Sequence, residues 1–362
     1  MESRVILTAG LRKDPVDPKN SAYAVLSRAV KAENLLERRY AFYGMVFGVC
    51  TLALAGAVTA MVLLGDSWWQ LLVAAIMGVI LTQFAFLAHE SAHRQIFASG
   101  TLNDKVGVVL ANFVVGMSYG WWMNKHTRHH ANPNTIGRDP DIEKDTISFL
   151  EEDAVESRGL VRWITQRQGY LFFPLLLLEG LNLHRHGIVA VTQKAPFKNR
   201  WLEIGLLVAR FALLFWLVFT VMPIGMGFAF LGVQVAVVGL YMGASFAPNH
   251  KGMPLIPAGT RVDFLTRQIL TSRNVRGSWF VDGFMGGLNY QIEHHLFPNM
   301  PRPSLRRTQQ IVQQFCAEND ISYTQTTVFA SYGMVIRYLN RVGLAARDPF
   351  DCPMVNSFRR RD

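Results

Sequence analysis

Four long apolar runs, grouped in two pairs, dominate the pattern of hydrophobic and polar positions. Ala41 to Leu64 is almost wholly apolar and carries no charge. At 1.5 Å per residue it is long enough to cross a hydrocarbon core of about 30 Å. Gly65-Asp66-Ser67 turns the chain, Trp68-Trp69 supplies an interfacial aromatic anchor, and Leu71 to Ala88 returns without a charge. A second pair, Trp201 to Met222 and Ile224 to Ala247, turns at Pro223. Arg210 is the exception within it, and its long side chain is expected to snorkel to the interface. The pattern predicts an all-α integral membrane protein with four transmembrane helices in two hairpins, near 41–64, 68–88, 201–222 and 224–247. A helical cap outside the bilayer completes it. The membrane domain is placed at 41–330, between an N-terminal segment 1–40 and a C-terminal segment 331–362.

Between the pairs the pattern is weaker. Val106 to Met123 is apolar but holds Asn112 and Trp121-Trp122, and reads as one partly buried or interfacial helix. Asn132 to Asp145, with Pro133, Gly137 and Pro140, reads as a loop. Tyr170 to Leu183 is apolar but too short and punctuated for a span. Ala22 to Tyr40 is compatible with a helix leading into the bilayer, whereas Leu305 to Glu318 and Tyr332 to Val342 look like amphipathic helices of the soluble part. Arg38 and Arg39 precede the first span and the 65–69 turn has no Lys or Arg, so the positive-inside bias puts both termini on the cytosolic side.

Composition agrees with this reading: 50% of residues are hydrophobic and mean hydropathy is +0.18. The net charge of +10 raises the question of nucleic acid. No basic stretch is interleaved with aromatics, however, and the charge bias of membrane proteins accounts for the excess. Cys50, Cys316 and Cys352 lie far apart with no CxxC pair, which argues against a zinc ribbon, an iron–sulfur cluster or a disulfide framework. The first forty residues are polar, so the first apolar helix is expected to direct insertion.

The chemistry is carried by histidine. Seven of the ten histidines fall in three clusters: His89 and His93, then His126, His129 and His130, then His294 and His295 with Gln291 ahead of them. Positions i, i+3 and i+4 share a helix face. A lone histidine is usually an ordinary hydrogen-bonded residue, but seven at helical ligand spacing suggest a dinuclear metal site, neutral imidazole being the commonest nitrogen donor to first-row metals. His250, just past the last span as His89 is past the second, is a further candidate, open between ligand and interfacial histidine. His89-Glu90-Ser91-Ala92-His93 also fits the HExxH pattern of zinc proteases, with Glu90 as general base. That reading leaves the other clusters unused. A metal-binding receptor or transporter would need polar groups inside the spans, which are nearly devoid of them.

HxxxH, HxxHH and QxxHH, in this order and around two apolar hairpins, resemble the membrane fatty acid desaturases over about residues 41–330. Gln291-Ile292-Glu293-His294-His295-Leu296-Phe297-Pro298 is similar to the front-end and bacterial acyl-CoA branch. The resemblance implies a cytosolic cap holding two Fe2+ ions, with His89, His93, His126, His129, His130, His294 and His295 as ligands and His250 where related enzymes have an additional histidine. Gln291 would either ligate iron or orient a water. The reaction implied uses O2 and two electrons to place a cis double bond in a long-chain acyl group, CoA- or lipid-linked; a hydroxylase of alkyl, sterol or sphingolipid substrates is the alternative on the same scaffold. Regioselectivity requires an apolar tunnel between the hairpins. No haem or dinucleotide motif is found, so a separate ferredoxin, cytochrome b5-like or flavoprotein donor is expected.

Overall fold

In the computed structural model, residues 21–194 and 197–346 are described. Pro15, Pro18, Cys352 and the basic 359–361 tail lie outside them. Fifteen α-helices, a π-helical turn, a short 3-10 helix (Arg302–Ser304) and a two-strand parallel contact are the regular elements of the described residues. Four helices are long and apolar enough to cross a membrane: α2 (Tyr40–Leu64), α3 (Gln70–Ala92), α9 (Arg200–Val221) and α10 (Ile224–His250). They fall where the apolar runs place them. Of the most apolar window, 17% is buried in α2 and α9, against 61% in α3 and 39% in α10. The inner helices are therefore α3 and α10, and both continue past their apolar stretch to carry His89 and His250.

Close approach among the inner helices depends on small residues. A Cβ at Gly78 would meet Val237 and the Gln234 carbonyl of α10. Gly180 and Gly239 likewise let α10 lie backbone to backbone against α8 (Gln168–Thr192). The stretch Tyr170 to Leu183, expected not to form a span, lies within this 25-residue helix, which is not among the four long apolar ones. It packs against α10 and α15 (Val328–Ala345).

The stretch read as one helix over Val106 to Met123 is instead broken. Helix α4 (Gly100–Val108) runs into the π turn Val109–Val115, and α5 (Tyr119–Ala131) leaves at a bend of 116°. Gly116, at φ 92°, supplies the left-handed backbone of the turn. The carboxylate of Glu203 on α9 caps the new helix, accepting from Ser118 Oγ at 2.7 Å and the Gly120 amide at 2.9 Å. His93, just past α3, and His126 on α5 meet at 2.8 Å, so the bent segment begins and ends beside the same end of α3.

The helix expected over Ala22 to Tyr40 also breaks: α1 (Ala22–Ala32) ends at a turn around Asn34, with φ 54°, before α2 begins. Helices α6 (Glu151–Glu156) and α7 (Gly159–Thr165) precede α8, and α11 (Phe264–Leu270), α12 (Trp279–Phe284), α13 (Gln291–Leu296) and α14 (Leu305–Glu318) follow α10. Strand β1 (Asn274–Val275) pairs in parallel with β2 (Gln325–Thr326) between them. The 132–145 loop is as expected.

Candidate metal centre

At 100° per residue, i+3 and i+4 lie about 60° and 40° either side of position i, so one helix addresses two neighbouring points. Helices α5 and α13 both do so. Ligand-capable nitrogens of His89, His93, His126, His130 and His294 form one group, and those of His129, His250 and His295 a second, within 4.8 Å of one another in each. On α5, His126 and His130 face the five-histidine group while His129 crosses to the other. On α13, His295 belongs to the three-histidine group and His294 crosses back; Gln291, one turn before His295, has its amide nitrogen 2.9 Å from His250 Nε2. The two helices thus share their faces reciprocally. All eight candidate histidines are brought together, with Gln291 beside them.

The three-histidine group is held from outside. His129 Nδ1 lies 3.0 Å from Asp139 Oδ1, His250 Nδ1 3.0 Å from the Thr271 carbonyl, and His295 Nδ1 2.8 Å from Gln268 Oε1. Each acceptor takes the Nδ1 proton and leaves the Nε2 lone pair turned inward. Gln268 also donates to the His130 carbonyl at 3.0 Å, so α11 ties α5 to α13. Lys125 and Lys251 hold Asp141, which flanks Asp139, at 3.0 Å and 2.6 Å. Arg273, fully buried, donates to the Pro248 and Lys251 carbonyls at the C-terminal end of α10 and to Ser331 Oγ, fixing the turn that follows His250.

Chemically, the donor set fits a divalent transition metal. His93 Nε2 and His126 Nε2 lie 2.8 Å apart with no acid between them, and His89 Nε2 is 3.1 Å from His126 Nε2. Both ring nitrogens of His130 and the Nε2 atoms of His294 and His295 are buried without a hydrogen-bond partner. Each such orphan costs about 1–3 kcal/mol unless something engages it. Burial pushes His93 down to about 3 and lowers His294 and His295 well below the ordinary imidazole value. The rings are therefore neutral, as ligands must be. Burial also raises Glu293 to about 7, although Asn274 and Tyr323 hold its carboxylate at 2.6 and 2.8 Å.

Glu90 does not serve as a general base. Its carboxylate makes a bidentate pair with Arg302 at 2.6 and 2.7 Å, turned away from the imidazoles. This disposes of the zinc-protease reading of the first cluster. Gln95 Nε2 donates to the Pro298 carbonyl at 2.8 Å, so the end of α3 and the loop after α13 are joined twice. His184 donates to the Gly180 carbonyl at 2.6 Å and His186 stacks on Trp121, both as ordinary packing residues of α8.

A sequence profile of the fatty acid desaturase family matches residues 66–327. The chain belongs to the fatty acid desaturase family. It is 28% identical over 354 residues to the Delta(6)-fatty-acid desaturase fat-3 of Caenorhabditis elegans, covering 91% of this chain and 80% of that one. The acyl-lipid (9-3)-desaturase of Physcomitrium patens is 32% identical over 287 residues, covering 76% of this chain and 54% of the relative. A Delta 8-(E)-sphingolipid desaturase of Emericella nidulans is 27% identical over 356 residues, or 91% and 63% of the two chains.

Four residues around the family's histidines had no signal in the sequence reading: Gln268, Thr271, Arg273 and Arg302. Asp139 had one, since Asp139-Pro140-Asp141 lies in the loop that follows the second cluster. A carboxylate one loop beyond a histidine pair is where an outer partner is expected.

Proposed function

We propose that this desaturase introduces a cis double bond into a long-chain fatty acyl group at a centre of two iron ions. One ion is held by His89, His93, His126, His130 and His294, the other by His129, His250 and His295 with Gln291 alongside. The observation that carries the reading is the division of eight buried or half-buried imidazoles into two adjacent groups. Iron, when bound, supplies the oxidation of unactivated C–H bonds by O2.

The protein's part is positional. Asp139, Thr271 and Gln268 hold three imidazoles by their Nδ1 protons, and Glu90–Arg302 fixes the helix end that bears His89 and His93. Trp122 stacks on His126 at 4.4 Å and meets His89 edge-on, while Phe246 lies 6.3 Å from His89. These rings exclude water from the membrane side of the imidazoles. Neighbouring methylenes are nearly identical, so the choice of bond depends on how an apolar path between α3 and α10 fixes the chain. The relatives' names span several regiochemistries and both fatty acyl and sphingolipid substrates.

In this reading α2–α3 and α9–α10 are two apolar hairpins and the centre, at the ends of α3 and α10, is cytosolic; Arg38 and Arg39 before α2, with no Lys or Arg in the 65–69 turn, support that side. Electrons come from a separate acidic carrier drawn to the basic cytosolic surface. The test is iron analysis of purified protein together with fatty acid profiling of a host expressing it with a ferredoxin or cytochrome donor. Two irons per chain and a new cis-unsaturated product are expected. One zinc and no iron would sink the proposal; a hydroxylated product would make the chain a hydroxylase.

A further inference from the structure

Helix α12 is amphipathic in the wrong sense for water. Its one acid turns inward: Asp282 accepts from Arg306 at 2.7 Å, Asn289 at 2.9 Å and the Tyr290 hydroxyl at 3.1 Å. Its aromatic residues turn outward, with Trp279 85%, Phe280 57% and Phe284 37% exposed. A surface helix in water shows the opposite arrangement.

A second observation fixes how deep this face lies. Tyr241 of α10 donates to the Phe284 carbonyl at 2.6 Å, and Gln83 of α3 donates to the Gly283 carbonyl at 3.2 Å and to the Tyr241 hydroxyl at 2.6 Å. Tyr241 and Phe284 also stack, 4.3 Å between centroids. Gln83 stands six residues before His89 and Tyr241 nine before His250, which is about 9 and 13 Å along the helices toward the bilayer. The last carbonyls of α12 are thus bound by polar side chains inside the two inner spans, below the imidazoles. Gly286 and Gly287, at φ 59° and 79°, turn the chain back up to α13. At Gly286 a Cβ would strike the Phe86 ring, so the return is tight against α3.

We propose that α12 is a wedge set into the bilayer, with Trp279, Phe280 and Phe284 seated among phospholipid acyl chains where α3 and α10 meet. The surface continues the lipid-facing belt of α3, on which Ile76 and Val79 are 46% and 43% exposed. An aliphatic environment suits an uncharged aromatic face whose helix has one acid, Asp282, on the opposite side, 24% exposed and paired with Arg306 at 2.7 Å, and aromatic side chains favour the interface. The proposal stands on packing alone and does not depend on the catalytic reading.

Spin labelling of the full chain in phosphatidylcholine nanodiscs tests it. Cys50 and Cys316 are buried, so a nitroxide on Trp279→Cys, with Cys352→Ser, reports one position. Reference labels go on Val79→Cys, facing lipid, and Glu318→Cys, at the exposed end of α14. Power saturation with oxygen and a neutral nickel chelate should give an oxygen-to-nickel accessibility ratio matching Val79 and several-fold above Glu318. A ratio matching Glu318 would place α12 in water and overturn the proposal. Low access to both reagents would mean that a second copy covers the face, and would overturn it equally. Should Trp279→Cys fail to fold, Phe280→Cys carries the same measurement and the same outcomes.

Discussion

Gln291 owes its orientation to a chain of hydrogen bonds. Asn249 Nδ2 donates to the Ser245 carbonyl at 3.1 Å, which fixes which end of that amide is the donor, and donates also to Gln291 Oε1 at 3.2 Å. The Gln291 nitrogen is therefore the end that faces His250 Nε2. The oxygen, expected from sequence either to ligate iron or to hold a water, is already engaged. Once a metal takes the His250 Nε2 lone pair, the Gln291 amide nitrogen would be freed to donate to a water beside the three-histidine group. Gln291→Ala should then retain iron and cut turnover severely, because the histidines remain. Gln291→His should also retain iron and lose activity, since an added imidazole competes for the open position. Normal turnover by both variants would reduce Gln291 to a packing residue. Asp139→Asn tests the outer partner of His129, for which losses of about 10–100-fold in metal affinity are typical. Dialysis of this variant against a chelator should take iron toward one per chain while wild type keeps two. Legibility from sequence follows the physics here. Helical spacing exposes ligands that share a helix, such as His126 and His130, but Gln268 and Thr271 meet His295 and His250 only through folding of a segment with no pattern of its own.

At the scale of elements, the junction between α3 and the loop after α13 concentrates the risk. Glu90 and Arg302 are buried, with side chains 3% and 9% exposed, and pair bidentately while the Arg302 amide donates to the Tyr43 hydroxyl at 3.2 Å. Removing one partner of such a pair leaves an uncompensated charge, at about 3–5 kcal/mol. Arg302→Ala and Glu90→Ala should each lower thermal stability by a comparable amount. Glu90→Gln should lose less, keeping one neutral hydrogen bond. A Glu90→Ala protein as stable as wild type would remove the junction from any structural role. The HExxH spelling of this segment was legible and misleading, because sequence shows the spacing of Glu90 from two histidines but not which way its carboxylate turns. The same limit explains the helices that were misjudged. Apolar runs mark α2, α3, α9 and α10 because each is continuous; the π turn at Val109–Val115 and the 116° bend beyond it sit inside one apolar run and leave no break to read.

The molecule as a whole separates insertion from chemistry. Its apolar surface is spent on α2 and α9, which are largely exposed, and on the outward faces of α3 and α10, where Ile76, Val79 and Phe228 point away from the core. The packing that joins α3, α8 and α10 runs through Gly78, Gly180 and Gly239, away from the histidine-bearing ends of α3 and α10. None of these contacts involves the eight clustered histidines, whereas His126, His130, His294 and His295 meet only beyond the apolar part of α3. Alanine at any one of the four should therefore abolish desaturation and reduce bound iron, yet leave the protein in the membrane with unchanged topology. Topology has its own readout: cysteines placed at 66 and 223, in the two short turns, should resist an impermeant maleimide applied from the cytosolic side and react only after permeabilisation. The four histidine variants should give that same labelling pattern. Full turnover by two or more of them would contradict the assignment of the metal centre, while cytosolic labelling of position 66 or 223 in the wild-type background would overturn the paired-hairpin arrangement without touching the chemistry.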